Sequence, residues 1–290
     1  MTGATGQNGG EVVKRLSARG VPVRALVRSA EKAGALASLP QVEVVAGDMA
    51  RPETLGPALR GVTRAMLISS SVPAMLEVQL SFVEAAKKAG VPHVVKLSGI
   101  MPELDSPFRF ARMHAEIERG MEAAGVGFTM LRAGEFMHSY FRQVPTLVAK
   151  GTLFLPMAQA RIASIDIGDI ADAAVATLTQ PGHEGKIYRL TGPEALTMGE
   201  VAERLSRAIG KPIRYVDVSP EDARKARLAA GMPEYLADGL DELFAERRRG
   251  KEGTVFTDLR DVFGIRPTTF EEFAQRYAPI FRGEQPPPKV

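Results

Sequence analysis

The sequence predicts an α/β protein, a doubly wound parallel sheet with a smaller C-terminal α/β lobe. Three observations carry this. Short apolar runs alternate with stretches of helical periodicity over the first half of the chain, the order of a parallel sheet covered on both faces. Glycines 3, 6 and 9 stand at the opening of the first helical stretch. At 290 residues, with 45% apolar and 24% charged residues, the chain can bury one large domain and an appended lobe.

Helical periodicity begins near Gly9 and runs through Val12, Val13 and Leu16 to Gly20. Residues 21–27 read as a strand, 31–39 as a short helix, 42–45 as a strand closed by Gly47 and Asp48, and 52–59 as a helix. Residues 63–68 form the next strand, 73–88 a long helix closing on Gly90, and 94–97 a strand. The helix at 107–124 has Ser106 as its predicted N-cap, Pro107 at its first position and Gly125 at its close. The strand at 127–131 ends this rhythm. One element is missing from the order: a strand of about five residues should precede the glycine turn, yet only Met1 and Thr2 stand there. The expectation is that the natural chain starts several residues earlier.

Residues 1–134 therefore read as the nucleotide-binding domain and 135–290 as a smaller lobe interleaved with it over the sheet's carboxyl edge. In that lobe short strands are predicted at 162–165 and 186–190 around a helix at 169–178, followed by helices at 197–209, 220–230, 235–248 and 270–277. The proline-rich tail, 285–289, is expected to fray.

Composition narrows the chemistry. The absence of cysteine excludes disulfides, thiolate metal sites and Cys nucleophiles. Four scattered histidines argue against a zinc site, so no metal is expected. A formal charge of +3 is too small to imply nucleic acid, and the basic run Arg247, Arg248, Arg249 and Lys251 reads as a solvated helix end. No apolar run is long enough to span a bilayer and no signal peptide is evident, so a cytoplasmic location without membrane attachment is expected.

The glycine turn supplies the first functional expectation. In Gly3-Ala4-Thr5-Gly6-Gln7-Asn8-Gly9 the first glycine allows the tight turn, the second lets backbone amides approach a diphosphate, and the third lets the helix pack closely. The helix N-terminus adds positive dipole. This is the fingerprint of a Rossmann-type dinucleotide site. An acid usually follows about 20 residues on to bond the ribose 2′-hydroxyl; here that place holds Arg28, whose guanidinium suits a 2′-phosphate. NADP(H) is therefore favoured over NAD(H), with Lys32 as a second cation. Asp48, with Met49 beside it, ends the next strand where a carboxylate meets the adenine edge or caps a turn.

These motifs, together with Leu26-Val27-Arg28, His114-Ala-Glu-Ile-Glu118 and Phe128-Thr-Met-Leu-Arg132-Ala-Gly134, resemble the NmrA-like group of atypical short-chain dehydrogenases. Gly182–Tyr188 and residues 229–233 resemble its bacterial quinone, azo-dye and triphenylmethane reductases. Typical short-chain dehydrogenases use Ser, Tyr and Lys, with Tyr-x-x-x-Lys on one helix; the matching positions here hold Phe110 and His114. A phenyl ring cannot transfer a proton, so that mechanism is absent. The resemblance implies that Ser98 bonds a substrate carbonyl or the carboxamide, and that His114 holds the nicotinamide ribose or relays a proton. It also places Ser69, Ser70, Ser71 and Gly134 against the cofactor, and Phe136, His138 and Tyr140 in the substrate pocket. Two functions follow: an NAD(P)H-dependent reductase of a quinone-like or azo-like acceptor, and a non-catalytic NADP(H) sensor that binds a protein partner. For the reductase the partners expected are a small-molecule electron acceptor and, at most, a second copy of the chain in a homodimer.

Overall fold

The computed structural model describes residues 1–29, 31 and 33–288. In chain order its elements are α1 (Gln7–Ala18), β1 (Val23–Val27), β2 (Val42–Ala46), α2 (Leu55–Leu59), β3 (Arg64–Leu67), α3 (Met75–Lys88), β4 (His93–Gly99), α4 (Arg109–Ala124) and β5 (Gly127–Ala133). The second half adds α5 (Val144–Lys150), β6 (Thr152–Leu155), α6 (Ile167–Thr179), β7 (Lys186–Leu190), α7 (Met198–Ile209) and β8 (Arg214–Asp217). Helices α8 (Pro220–Ala229), α9 (Glu234–Arg248), α10 (Asp258–Asp261), α11 (Phe270–Arg276) and α12 (Ala278–Phe281) complete it.

Every strand pair is parallel. β3, β4, β5 and β7 form one sheet in that order, and β1 pairs with β2. Met1 and Thr2 lie between the two groups: the Leu26 amide donates to Met1 O at 2.9 Å, and the Thr2 amide donates to Met66 O at 3.0 Å. Below them an opening of about 680 Å³ is lined by Val23, Arg24, Val42, Arg64 and Met66 among others. Helices α1 and α6 cover one face, burying Val12, Val13, Leu16, Ile170 and Ala174 against Ala25, Val95, Leu131 and Leu190. Helices α2, α3 and α4 cover the other, burying Leu55, Phe82, Ile117 and Met121 against Leu67, Val94 and Met130. After β6, β7 returns the chain to this sheet beside β5. A second core gathers Phe141, Leu153, Leu205, Phe244, Phe273 and Phe281.

Several expectations need correction. Helix α4 starts at Arg109, with Phe108 at the N-cap and no side-chain cap; Ser106 Oγ instead accepts from the Phe108 amide at 3.2 Å, closing a turn ahead of the helix. Gly125 does close it, in the left-handed conformation at φ +72° that a residue with a Cβ rarely takes. The predicted 31–39 helix is a short 3₁₀ turn, Gly34–Ser38. Residues 162–165 form no strand: Ile162 and Ile165 make only isolated bridges to Leu196 and Phe136. The lobe's two-stranded sheet is β6 with β8 instead, two four-residue runs too short to show a period.

Candidate functional site

The turn between Thr2 and α1 is shaped by its glycines. Gly3 sits at φ +58°, and the Gly6 amide donates back to Gly3 O at 3.0 Å. A Cβ on Gly9 would fall 2.1 Å from Gly3 O, so only glycine lets the first turn of α1 lie this close. Gly6 is the N-cap, extended at φ −84° and ψ 171°, with no side chain bonding the first-turn amides and no acid in that turn. Those amides and the positive helix end are left for an anion. Gln7 Nε2 and Asn8 Oδ1 are buried without hydrogen-bond partners. Buried orphans of this kind are costly unless something satisfies them: a dinucleotide diphosphate fits the need of the Gln7 Nε2 donor, while Asn8 Oδ1 calls for a donor such as a ribose hydroxyl. Thr5, between the glycines, is exposed.

Beyond the cradle, Arg28 stands exposed directly after β1 and has no ion-pair partner among the described residues. Lys32 lies outside the described residues. Asp48 makes a turn: its Oδ1 accepts from the Ala50 amide at 3.0 Å, and its own amide donates to Thr54 Oγ1 at 2.9 Å. Met49 packs against the α2–α4 core. Of the three serines after β3, Ser69 accepts from Gln79 Nε2 at 2.8 Å, while Ser70 and Ser71 are exposed.

The opposite end is built from side chains on β4 and α4. Ser98 is buried near the end of β4, and its Oγ has no partner. The next residue, Gly99, lets His114 of α4 come close, since a Cβ there would meet His114 Cδ2 at 3.0 Å. Two residues before Ser98, on the same face, Lys96 is 0% exposed. Its Nζ lies 2.9 Å from His114 Nδ1 and 3.2 Å from Leu97 O. Burial lowers the Lys96 ammonium to about 7, with Glu118 opposing the shift. Burial and the Lys96 charge hold His114 well below the usual imidazole range, so the ring is neutral. One helical turn on, Glu118 is held by Arg132 of β5, with Nε to Oε2 at 3.1 Å. The sequence placed Lys96 only as a member of an apolar strand. Its signal was a lone cation between Val94, Val95 and Leu97, which an outward-facing lysine in a sheet covered on both faces does not explain.

Phe110, in the place of the absent tyrosine, is 9% exposed and packs edge-on against Phe108 and Tyr235, with ring centroids at 5.6 and 5.8 Å. Gly134, after β5, brings the backbone within reach of the lobe, for a Cβ there would meet Ala163 O at 3.0 Å. Phe136 and His138 then line a cavity of about 340 Å³ together with Gln7, Glu135, Pro287 and Pro288. Pro287 and Pro288 of the tail are exposed and lie in no helix or strand; Lys289 lies outside the described residues. His138 is ringed by Phe141, Phe273 and Tyr277, and its Nδ1 is buried without a partner.

Two expectations fail here. Tyr140 does not line the cavity: it is 5% exposed, packs edge-on against Phe270 at 5.1 Å, and its hydroxyl lies 3.7 Å from Met198 Sδ. A seven-residue 3₁₀ stretch, Met137–Gln143, turns it into the lobe's core. Nor is the basic run all solvated. Arg247 is buried, pairing with Glu135 at the cavity wall and with Glu252, Nε to Oε2 at 2.7 Å.

Residues 1–274 match the model of the NmrA-like family. The chain is 38% identical over 281 residues to the NAD(P)H azoreductase of Xenophilus azovorans, covering 97% of this chain and 98% of that one. Among solved structures it resembles the NADPH-dependent quinone oxidoreductase of Escherichia coli complexed with NADPH, at TM-score 0.87 and 32% identity, covering 95% and 98% of the two chains. It also resembles the triphenylmethane reductase of Citrobacter sp. complexed with NADP(H), at TM-score 0.84 and 28% identity, covering 96% and 98%.

Proposed function

The chain belongs to the NmrA-like family, and we propose that it is an NAD(P)H-dependent reductase of a flat, electron-poor acceptor of the quinone or azo-dye class, with NADPH the favoured reductant. The observation that carries this is the glycine cradle, where a Cβ on Gly9 has no room and the first-turn amides of α1 have no internal acceptor. Reductases at 38% and 32% identity over nearly the full length support the acceptor class.

Bound NADPH supplies a hydride from its nicotinamide C4. The amides of Gln7 to Gly9 would hold the diphosphate, and Arg28 would neutralise the 2′-phosphate. Asp48 and Met49 would meet the adenine, and Ser69, Ser70 and Ser71 would border the cofactor. Ser98 offers its unpartnered hydroxyl to a carbonyl or carboxamide. His114, neutral and braced by Lys96, takes the place the ordinary lysine would hold beside the nicotinamide ribose. Gly134 permits close backbone approach, while Phe136 and His138 wall the acceptor and exclude water. Reduced quinones and hydrazo products can draw protons from solvent, so Phe110 in place of tyrosine does not block the reaction.

The test is NADPH oxidation followed at 340 nm against a panel of quinones and azo dyes. Turnover with at least one acceptor, faster with NADPH than with NADH, is expected. NADPH binding without turnover on any acceptor would replace this reading with that of a nucleotide-sensing protein.

A further inference from the structure

The contact between Lys96 and His114 joins two side chains of different standing. His114 belongs to the proposed site, while Lys96 is fully enclosed and reaches neither cofactor nor acceptor. We propose that Lys96 is a positioning residue that fixes the tautomer of His114: by donating from Nζ to Nδ1 it keeps the ring proton on Nε2, so that the imidazole meets the nicotinamide end of the cleft as an N–H donor. The inference rests on His114 being a site residue, as read above.

The geometry gives the direction of the bond. Among the described residues two acceptors lie within reach of Nζ, Leu97 O at 3.2 Å and His114 Nδ1 at 2.9 Å. A carbonyl oxygen can only accept, so the amine is already oriented as a donor, and below pH 7, where Lys96 is the ammonium, it has no lone pair to receive a proton from Nδ1–H. Glu118 on α4, itself held by Arg132 of β5, stands near enough to favour the ammonium without pairing with it. The nitrogen that carries the proton in a neutral imidazole is set by the bond made at the other one. Here Nδ1 is the bonded nitrogen, and the Cδ2–Nε2 edge lies against Gly99, one residue from the unpartnered Ser98 hydroxyl. Sequence spacing hides this device, because Lys96 and His114 sit on different elements 18 residues apart.

The experiment is a long-range ¹H–¹⁵N spectrum of the full chain labelled at histidine, without cofactor and at pH 6, where Lys96 is the ammonium. There are four histidines, and the His114 signals are identified by their loss in His114→Gln. The expected spectrum has His114 with a protonated Nε2 and a bare Nδ1. In Lys96→Met that preference should vanish and the His114 pKa should rise, while His93, at the far end of β4, and His183 stay unchanged as controls of folding. A wild-type spectrum with the proton on Nδ1 overturns the proposal, and needs no variant. So does a tautomer that Lys96→Met leaves unaltered. In turnover, Lys96→Met should lower kcat about tenfold with the NADPH dissociation constant within twofold of wild type; an unchanged kcat contradicts a positioning role. Absence of all turnover in the wild type would remove the reductase reading and leave the tautomer result standing.

Discussion

In one part of the proposed site the groups that would meet a ligand are backbone amides, offered by a turn that Gly3, Gly6 and Gly9 shape. In the other part of the proposed site they would be side chains, Ser98 from β4 and His114 from α4, with Lys96 enclosed beside His114. The first end works through the conformations its residues can adopt, and its tolerance is set by the 2.1 Å that a Cβ on Gly9 would leave to Gly3 O. The second works through burial and charge, which push Lys96 down and keep His114 neutral. A backbone site fails by steric exclusion and loses binding. A side-chain site fails by changed protonation or hydrogen bonding and loses turnover.

The largest expected effect belongs to the backbone end. Gly9→Val forces the helix away from the turn, an overpacking that costs about 1–3 kcal/mol. NADPH affinity should fall about a hundredfold, read by calorimetry with circular dichroism to confirm folding. Next, His114→Gln should lower kcat about a hundredfold while leaving NADPH affinity within a few-fold; equal losses in both would erase the distinction between the two ends. Arg28→Ala should weaken NADPH by about tenfold, the worth of a charge-assisted bond, and leave NADH almost unaffected.

A smaller effect separates stability from function. The fold holds Lys96 at about 7 against 10.5 for an ordinary lysine, so the unfolded chain binds more protons between those values. The burden of Lys96 on stability is therefore full below pH 7 and shrinks as pH rises toward 10.5. Lys96→Met should raise Tm by several degrees at pH 6 and by clearly less at pH 9 in scanning calorimetry, even as it slows turnover. The smallest effect is expected at Tyr140→Phe, which removes a hydroxyl that lies beside Met198 in the lobe's core; KM for the acceptor should not move.

The same division explains what could be read from the chain. The glycine cradle, the parallel sheet and most helices were legible because local geometry dictates them: Gly125 marks the close of α4 with a positive φ, and apolar periodicity marks each covered face. Lys96 was not, since its partner is brought by a helix packed across the sheet. Tyr140 turned inward because a 3₁₀ stretch sets its direction, and Arg247 was drawn under by Glu135 and Glu252, one of them 112 residues away. The β6–β8 pair escaped notice for the opposite reason, being too short to leave a period.

Calorimetric titration of the chain with NADPH and with NADH tests the central claim most directly. One NADPH per chain at a micromolar dissociation constant, with NADH at least tenfold weaker, is the expected result. No heat with NADPH, or equal affinity for the two nucleotides, would contradict it.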